Sequence, residues 1–107
     1  MTTILLEPVD AVSITSIVDN VSDMLLVDQG PAKRPSMSGS GADRIPAAFL
    51  EGGVVADPLK AEHGFSALIS ITKSDTTHNV LFDAGISPDG VAENMLRLEF
   101  TPKDIEA

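Results

Sequence analysis

The sequence predicts a small α+β protein, and three observations carry that prediction. Val12, Ile14, Ser16 and Val18 alternate with Ser13, Thr15, Ile17 and Asp19, the period of a strand. Two further strand-like runs, Phe65–Thr72 and Asn79–Asp83, flank a polar stretch from Lys73 to His78. Val91, Met95 and Leu98 then recur at helical spacing. A length of 107 residues allows one domain.

Each element has a local cause. The first strand carries apolar residues on both faces, which places it inside a sheet with at least one covered face. Asp19-Asn20 closes it in turn chemistry. Met24, Leu25, Leu26 and Val27 form an apolar patch too short to classify. The stretch 29–58 reads as one long loop, because Gly30-Pro31, Pro35, Ser38-Gly39-Ser40-Gly41, Pro46, Gly52-Gly53 and Pro58 oppose both helix and strand. Phe49, Leu50, Val54 and Val55 make it a packed loop rather than a free linker. Phe65–Thr72 puts Phe65, Ala67, Ile69 and Ile71 on one face and Ser66, Leu68, Ser70 and Thr72 on the other. With Asn79–Asp83 it forms a hairpin whose turn exceeds two residues. Ser87 is a helix cap, Pro88 suits the first helical position, and Asp89 complements the helix dipole. The helix ends near Phe100, before Thr101-Pro102.

Composition narrows the function. Sixteen acidic residues against seven basic give a net charge of −9, which excludes gripping nucleic-acid phosphates or docking on anionic lipid. Cysteine is absent, so disulfides, thiolate metal sites and cysteine nucleophiles are excluded. No apolar run approaches the ~20 residues that span a bilayer, and Met1 to Leu6 lack the basic start of a signal peptide. The expectation is a cytoplasmic protein. The order strand, long loop, hairpin, helix leaves a sheet without a second layer, and Lys103 to Ala107 starts a further element. Residues 1–107 therefore read as the N-terminal portion of a single larger domain.

Candidate chemistry is sparse. There is no P-loop and no G-x-S-x-G elbow, and Ser38-Gly39-Ser40-Gly41 reads as flexible loop. Of the two histidines, His78 reads as a solvated turn residue. His63, where the loop rejoins the sheet, either caps the strand end or lines a site. Asp83, at the end of Val80-Leu81-Phe82, either orients a neighbouring group or closes an Asx-turn, and Asp19 with Asn20 has the same two readings.

Ala61-Glu62-His63-Gly64-Phe65-Ser66-Ala67-Leu68-Ile69, followed by Val80-Leu81-Phe82-Asp83-Ala84-Gly85, resembles the opening of metallo-β-lactamase-fold hydrolases. The nearest branch is the dihydropterin ribofuranosylaminobenzene-phosphate synthase-like one. Its first strand ends in Val-Asp-Asn, as at Val18-Asp19-Asn20, and a variable loop, an A-E-H-G-F-S strand, an F-D-T-G turn and a helix follow. The match covers nearly the whole chain, with Ala84 in place of the usual threonine. The resemblance implies an αββα-type fold, here incomplete. In the family an I-D-type strand, matching the start at Asp104-Ile105-Glu106-Ala107, delivers H-x-H-x-D-H, which binds one or two metals, usually zinc. The bound hydroxide attacks an ester or phosphoester of a small-molecule substrate. That motif is not within the 107 residues, so this chain has no metal ligand, catalytic residue or cofactor of its own. Alone it is inactive, and a longer or complementing chain has to supply the histidines. The resemblance makes Asp83, with Gly85, a structural feature under the active-site edge and sets His63 at the pocket rim as a substrate contact. It sets Asp19 and Asn20 at a strand end on the same side, and the 29–58 loop at the entrance. The alternative is a non-catalytic α+β interaction module that recruits a partner strand to an exposed sheet edge.

Overall fold

A computed structural model describes residues 2–23, 25–34 and 44–107. It is α+β: a three-stranded antiparallel sheet, a two-stranded ribbon and one α-helix. The strands are β1 (Ala11–Val18), β2 (Arg44–Pro46), β3 (Val54–Ala56), β4 (Ser66–Lys73) and β5 (Thr76–Phe82). Helix α1 (Gly90–Arg97) and a 3-10 turn (Pro102–Asp104) follow. The main sheet runs β1-β4-β5, with Ile14 opposite Ile69 and Ile69 opposite Val80. A register shift between Ser16 and Val18 marks a bulge where β1 approaches the helix.

Three sequence expectations are corrected. The β4–β5 turn is tight: Lys73 pairs with Thr76, leaving only Ser74 and Asp75 to turn. Ser74 takes φ 53°, and its N–H donates to Asp10 Oδ2 at 2.6 Å. The polar run from Thr76 to His78 is strand because cross-strand polar pairs hold it. The Thr72 and Thr77 hydroxyls meet at 2.9 Å, and Ser70 Oγ donates to Asn79 Oδ1 at 2.7 Å. His78 therefore lies within β5, opposite Ile71, and not in a turn. Second, the 29–58 stretch contains a hairpin, β2 with β3, in which Ile45 faces Val55. Its Pro46 ends a two-stranded ribbon, where a missing ladder donor is tolerated. Third, β1 is an edge strand rather than an interior one. Among the described residues only β4 pairs with it. Ser38-Gly39-Ser40-Gly41 and Met24 lie outside the described residues.

Helix α1 begins as the sequence implies: Ser87 Oγ accepts the Gly90 N–H at 3.0 Å. It ends in a Schellman arrangement. Phe100 N–H donates to the Met95 carbonyl at 2.9 Å and Glu99 N–H to the Leu96 carbonyl at 3.1 Å, with Glu99 at φ 63°. The core sits between α1 and one end of the sheet, where Ile17, Val18, Leu68 and Met95 are at most 2 % exposed. Leu81, Val91, Leu98, Phe100 and Ile105 pack around them.

The helix thus covers the face that carries Ser66 and Leu68. The opposite face is more apolar and largely open: Val12 is 56 %, Ile14 69 % and Phe82 59 % exposed. After α1 the chain returns to β5. Glu106 N–H donates to the Asn79 carbonyl at 2.9 Å, and Leu81 N–H to the Ala107 carbonyl at 2.7 Å. Residues 106–107 therefore run along the outer edge of β5 in its own direction. His78 Nδ1 lies 2.8 Å from Glu106 Oε2 beside them. Among the described residues no helix is long and apolar enough to cross a membrane.

Urea unfolding checks this packing. Leu68→Ala is expected to lose ~2–5 kcal/mol. Glu99→Gly relieves the left-handed backbone at the helix end and is expected to gain ~1 kcal/mol. Ile14→Thr, on the open face, should stay within ~0.5 kcal/mol of the parent.

Candidate functional site

Antiparallel pairing brings the end of β1, the start of β4 and the end of β5 to one edge of the sheet, since Val18 faces Ser66 and Ala67 faces Phe82. The connections at that edge are tied by backbone and side-chain bonds. Glu62 N–H donates to the Asp19 carbonyl at 3.1 Å, and Gly64 N–H to Asn20 Oδ1 at 3.2 Å. Gly85 N–H donates to the Phe65 carbonyl at 3.1 Å, and Ser66 Oγ to the Asp83 carbonyl at 2.7 Å. Asp19, Asn20, His63, Asp83 and Gly85 thus share one end of the sheet.

Their individual geometries differ. Asn20 reaches across to the segment that enters β4. The Asp19 and Asp83 carboxylates each accept the next residue's N–H at 2.7 Å, the local turn that the sequence offered as one of two readings. Asp83 does so at φ 61°, a left-handed conformation that aspartate tolerates better than most residues. The His63 ring is exposed and makes no hydrogen bond or ion pair with the described residues. His78 is not part of this end; it pairs with Ile71 and contacts Glu106.

The residue that organises the edge is Glu62, which the sequence presented only as one letter of a motif. Its Oε1 accepts the Ile86 N–H at 3.0 Å and the Ser87 N–H at 3.3 Å. The Ser87 hydroxyl is the main reason its carboxyl titrates below the ordinary glutamate value, helped by the two N–H groups and opposed by desolvation. Gly85 is needed here, because at φ 67° a Cβ would collide with Glu62 Oε1. Gly64 allows the backbones to close, since a Cβ there would stand 3.0 Å from Gly85 Cα.

A second cluster lies behind it. Asn94 is fully buried; its Nδ2 donates to the Ile17 and Lys60 carbonyls, both at 2.8 Å, and its Oδ1 accepts the Lys60 N–H at 2.9 Å. Arg97 Nη2 donates to Asp57 Oδ1 at 2.6 Å, and Lys60 pairs with Glu93. The Asp57 bond raises the Arg97 pKa, while Lys60, then Arg97, lowers that of Glu93 against desolvation. Periodicity marks neither Glu62 nor Asn94. An asparagine inside an apolar helical stripe was the available signal.

Among the described residues no group of three or more His, Asp or Glu side chains could hold a metal ion. The arrangement supplies a rigid polar rim with one unengaged imidazole. Comparison with family models, curated proteins and solved structures found no match.

Two substitutions read this edge. Gly85→Ala is expected to cost ~1–3 kcal/mol in urea unfolding, and adding Glu62→Ala should recover only the steric part, leaving the backbone strain. Because Glu62 titrates lower when folded, its stabilisation is full above the unfolded value of 4.5 and is lost as pH falls through the folded one. Glu62→Gln should therefore flatten the acid limb of a stability–pH curve; an unchanged acid limb would show that the carboxylate is not held in this way.

Proposed function

We propose that residues 1–107 form the N-terminal portion of a metallo-β-lactamase-type, metal-dependent hydrolase domain acting on a small-molecule substrate in the cytoplasm. The supporting observation is the meeting of Val18-Asp19-Asn20, Glu62-His63-Gly64 and Asp83-Ala84-Gly85 at one end of the sheet. These are the segments that carry the family resemblance, though they lie far apart in sequence. A parallel return onto the outer edge of β5 after α1 is also the route that a motif-bearing strand would follow.

The residues present do not fit a metal centre by themselves. His63 lies at the strand-end rim and His78 within β5 beside Glu106, and no third ligand joins either among the described residues. The histidines of a zinc site have to come from a longer chain or a complementing polypeptide. What this chain contributes under the reading is a rim, with His63 as substrate contact, Asn20 and Asp19 at the strand exit, and Asp83-Ala84-Gly85 fixing the turn beside it.

Reading the coding DNA past codon 107 tests the proposal. It is expected to show an in-frame H-x-H-x-D-H within about a dozen residues. A stop with no such motif downstream overturns it. In a protein carrying that motif, His63→Ala should lower kcat/KM on a generic phosphodiester about tenfold at constant zinc content. Unchanged kinetics would leave His63 a structural residue.

A second reading, an interaction module that recruits a partner strand, is favoured by the edge position of β1. It requires cooperative unfolding of the 107-residue chain alone, whereas an incomplete domain should unfold broadly or aggregate.

A further inference from the structure

A cavity of 320 Å³ lies against the last residues of β1, on the side of the 21–34 segment. Its size is at the lower end of small-molecule sites, which run from ~300 to ~1,000 Å³. Ile17, Leu26 and Leu59 contribute apolar wall, and Lys33, Arg34 and Lys60 contribute charge. Three of the chain's seven basic residues therefore line one cavity in a protein of net charge −9, beside only two of its sixteen acidic ones, Asp19 and Asp23.

The bonding pattern fixes how much of that charge remains. Lys60 is paired with Glu93, and Lys33 Nζ lies 3.6 Å from Asp28 Oδ2. Asp19 and Asp23 turn a carboxylate oxygen to the N–H groups of Asn20 and Leu25, at 2.7 and 2.8 Å. Arg34 is different. Its Nη1 donates to the Leu26 carbonyl at 3.0 Å, and among the described residues its guanidinium meets no carboxylate. The Arg34 N–H also donates to Asp28 Oδ1 at 2.8 Å, which holds the residue at the cavity wall.

A planar fork of donors with one unneutralised charge, set beside apolar wall, matches a single carboxylate on an apolar body. We propose that this cavity binds a small organic monocarboxylate, with Arg34 receiving the carboxylate and the Ile17, Leu26 and Leu59 wall receiving the apolar part. This goes beyond the hydrolase reading and does not depend on it, because every residue invoked lies in the 107-residue chain and no metal is involved.

The test is a titration of the ¹⁵N-labelled 107-residue chain with benzoate, benzyl alcohol and inorganic phosphate, followed by amide shifts. Benzoate is expected to shift residues 16–34 and 59–60. Benzyl alcohol and phosphate should each bind at least about tenfold more weakly, for want of the charge or of the apolar body. Arg34→Gln should weaken benzoate about tenfold, while Lys103→Gln, outside the cavity, leaves it unchanged. Equal binding of benzoate and benzyl alcohol to the parent chain overturns the proposal without relying on the folding of any variant. Shifts centred on the open face at Val12, Ile14 and Phe82 overturn it, as does an unaltered affinity in Arg34→Gln. Phosphate binding as tightly as benzoate would make the site a general anion site and sink the monocarboxylate assignment.

Discussion

The Asn94 carboxamide sits where α1, the end of β1 and the strand-preceding segment at Lys60 meet, and it is wholly shielded from water. A primary amide buried without partners would destabilise the fold by several kcal/mol, so its place is tenable only while all three segments hold their positions. That reciprocity makes it a registration device. It sets how far the helix slides along the sheet, and hence which apolar residues, Met95 with Ile17, Val18 and Leu68, close the core. An apolar core this small tolerates several helix positions; the amide singles out one.

The strand-end edge depends on that placement in turn. Because α1 is fixed, the 84–89 turn that precedes it is fixed, and Glu62 can bridge from the 62–64 segment to the Ile86 and Ser87 N–H groups. Carboxylate, helix-capping serine and close-packed glycines form one unit, and His63 is carried on it. The imidazole is the group with spare hydrogen-bonding capacity, while its neighbours are occupied in holding shape. A rim of this kind is suited to presenting one polar side chain to a ligand rather than to moving protons between several.

The strands and helix were legible because each has a local cause. Period-two alternation found β1 and β4, and Ser87 with Val91, Met95 and Leu98 found the helix. The errors have a common source in partners that a window of sequence does not contain. Thr76 to His78 look like turn until Ser70 and Thr72 are set opposite them, and β2 and β3 look like loop until Ile45 meets Val55. The apolar faces of β1 suggested an interior strand, whereas the structure leaves that side open. At the candidate site, family-like motifs drew attention to the right edge. Glu62 and Asn94 escaped notice because their work lies in bonds to distant backbone, which no periodicity reports.

The long separation between β1 and its partner β4 also bears on how the sheet assembles. The β4–β5 hairpin closes through two residues and can form on the microsecond scale, roughly 1–10 μs for an isolated hairpin. Strand β1 must be recruited across everything from Val18 to Ser66, at an entropic cost that rises with the logarithm of loop length. During synthesis β1 leaves the ribosome first and waits, with Val12 and Ile14 unpaired, until the hairpin arrives. The 21–61 connection therefore acts as a kinetic tether: shortening it would speed assembly more than it would stabilise the finished sheet.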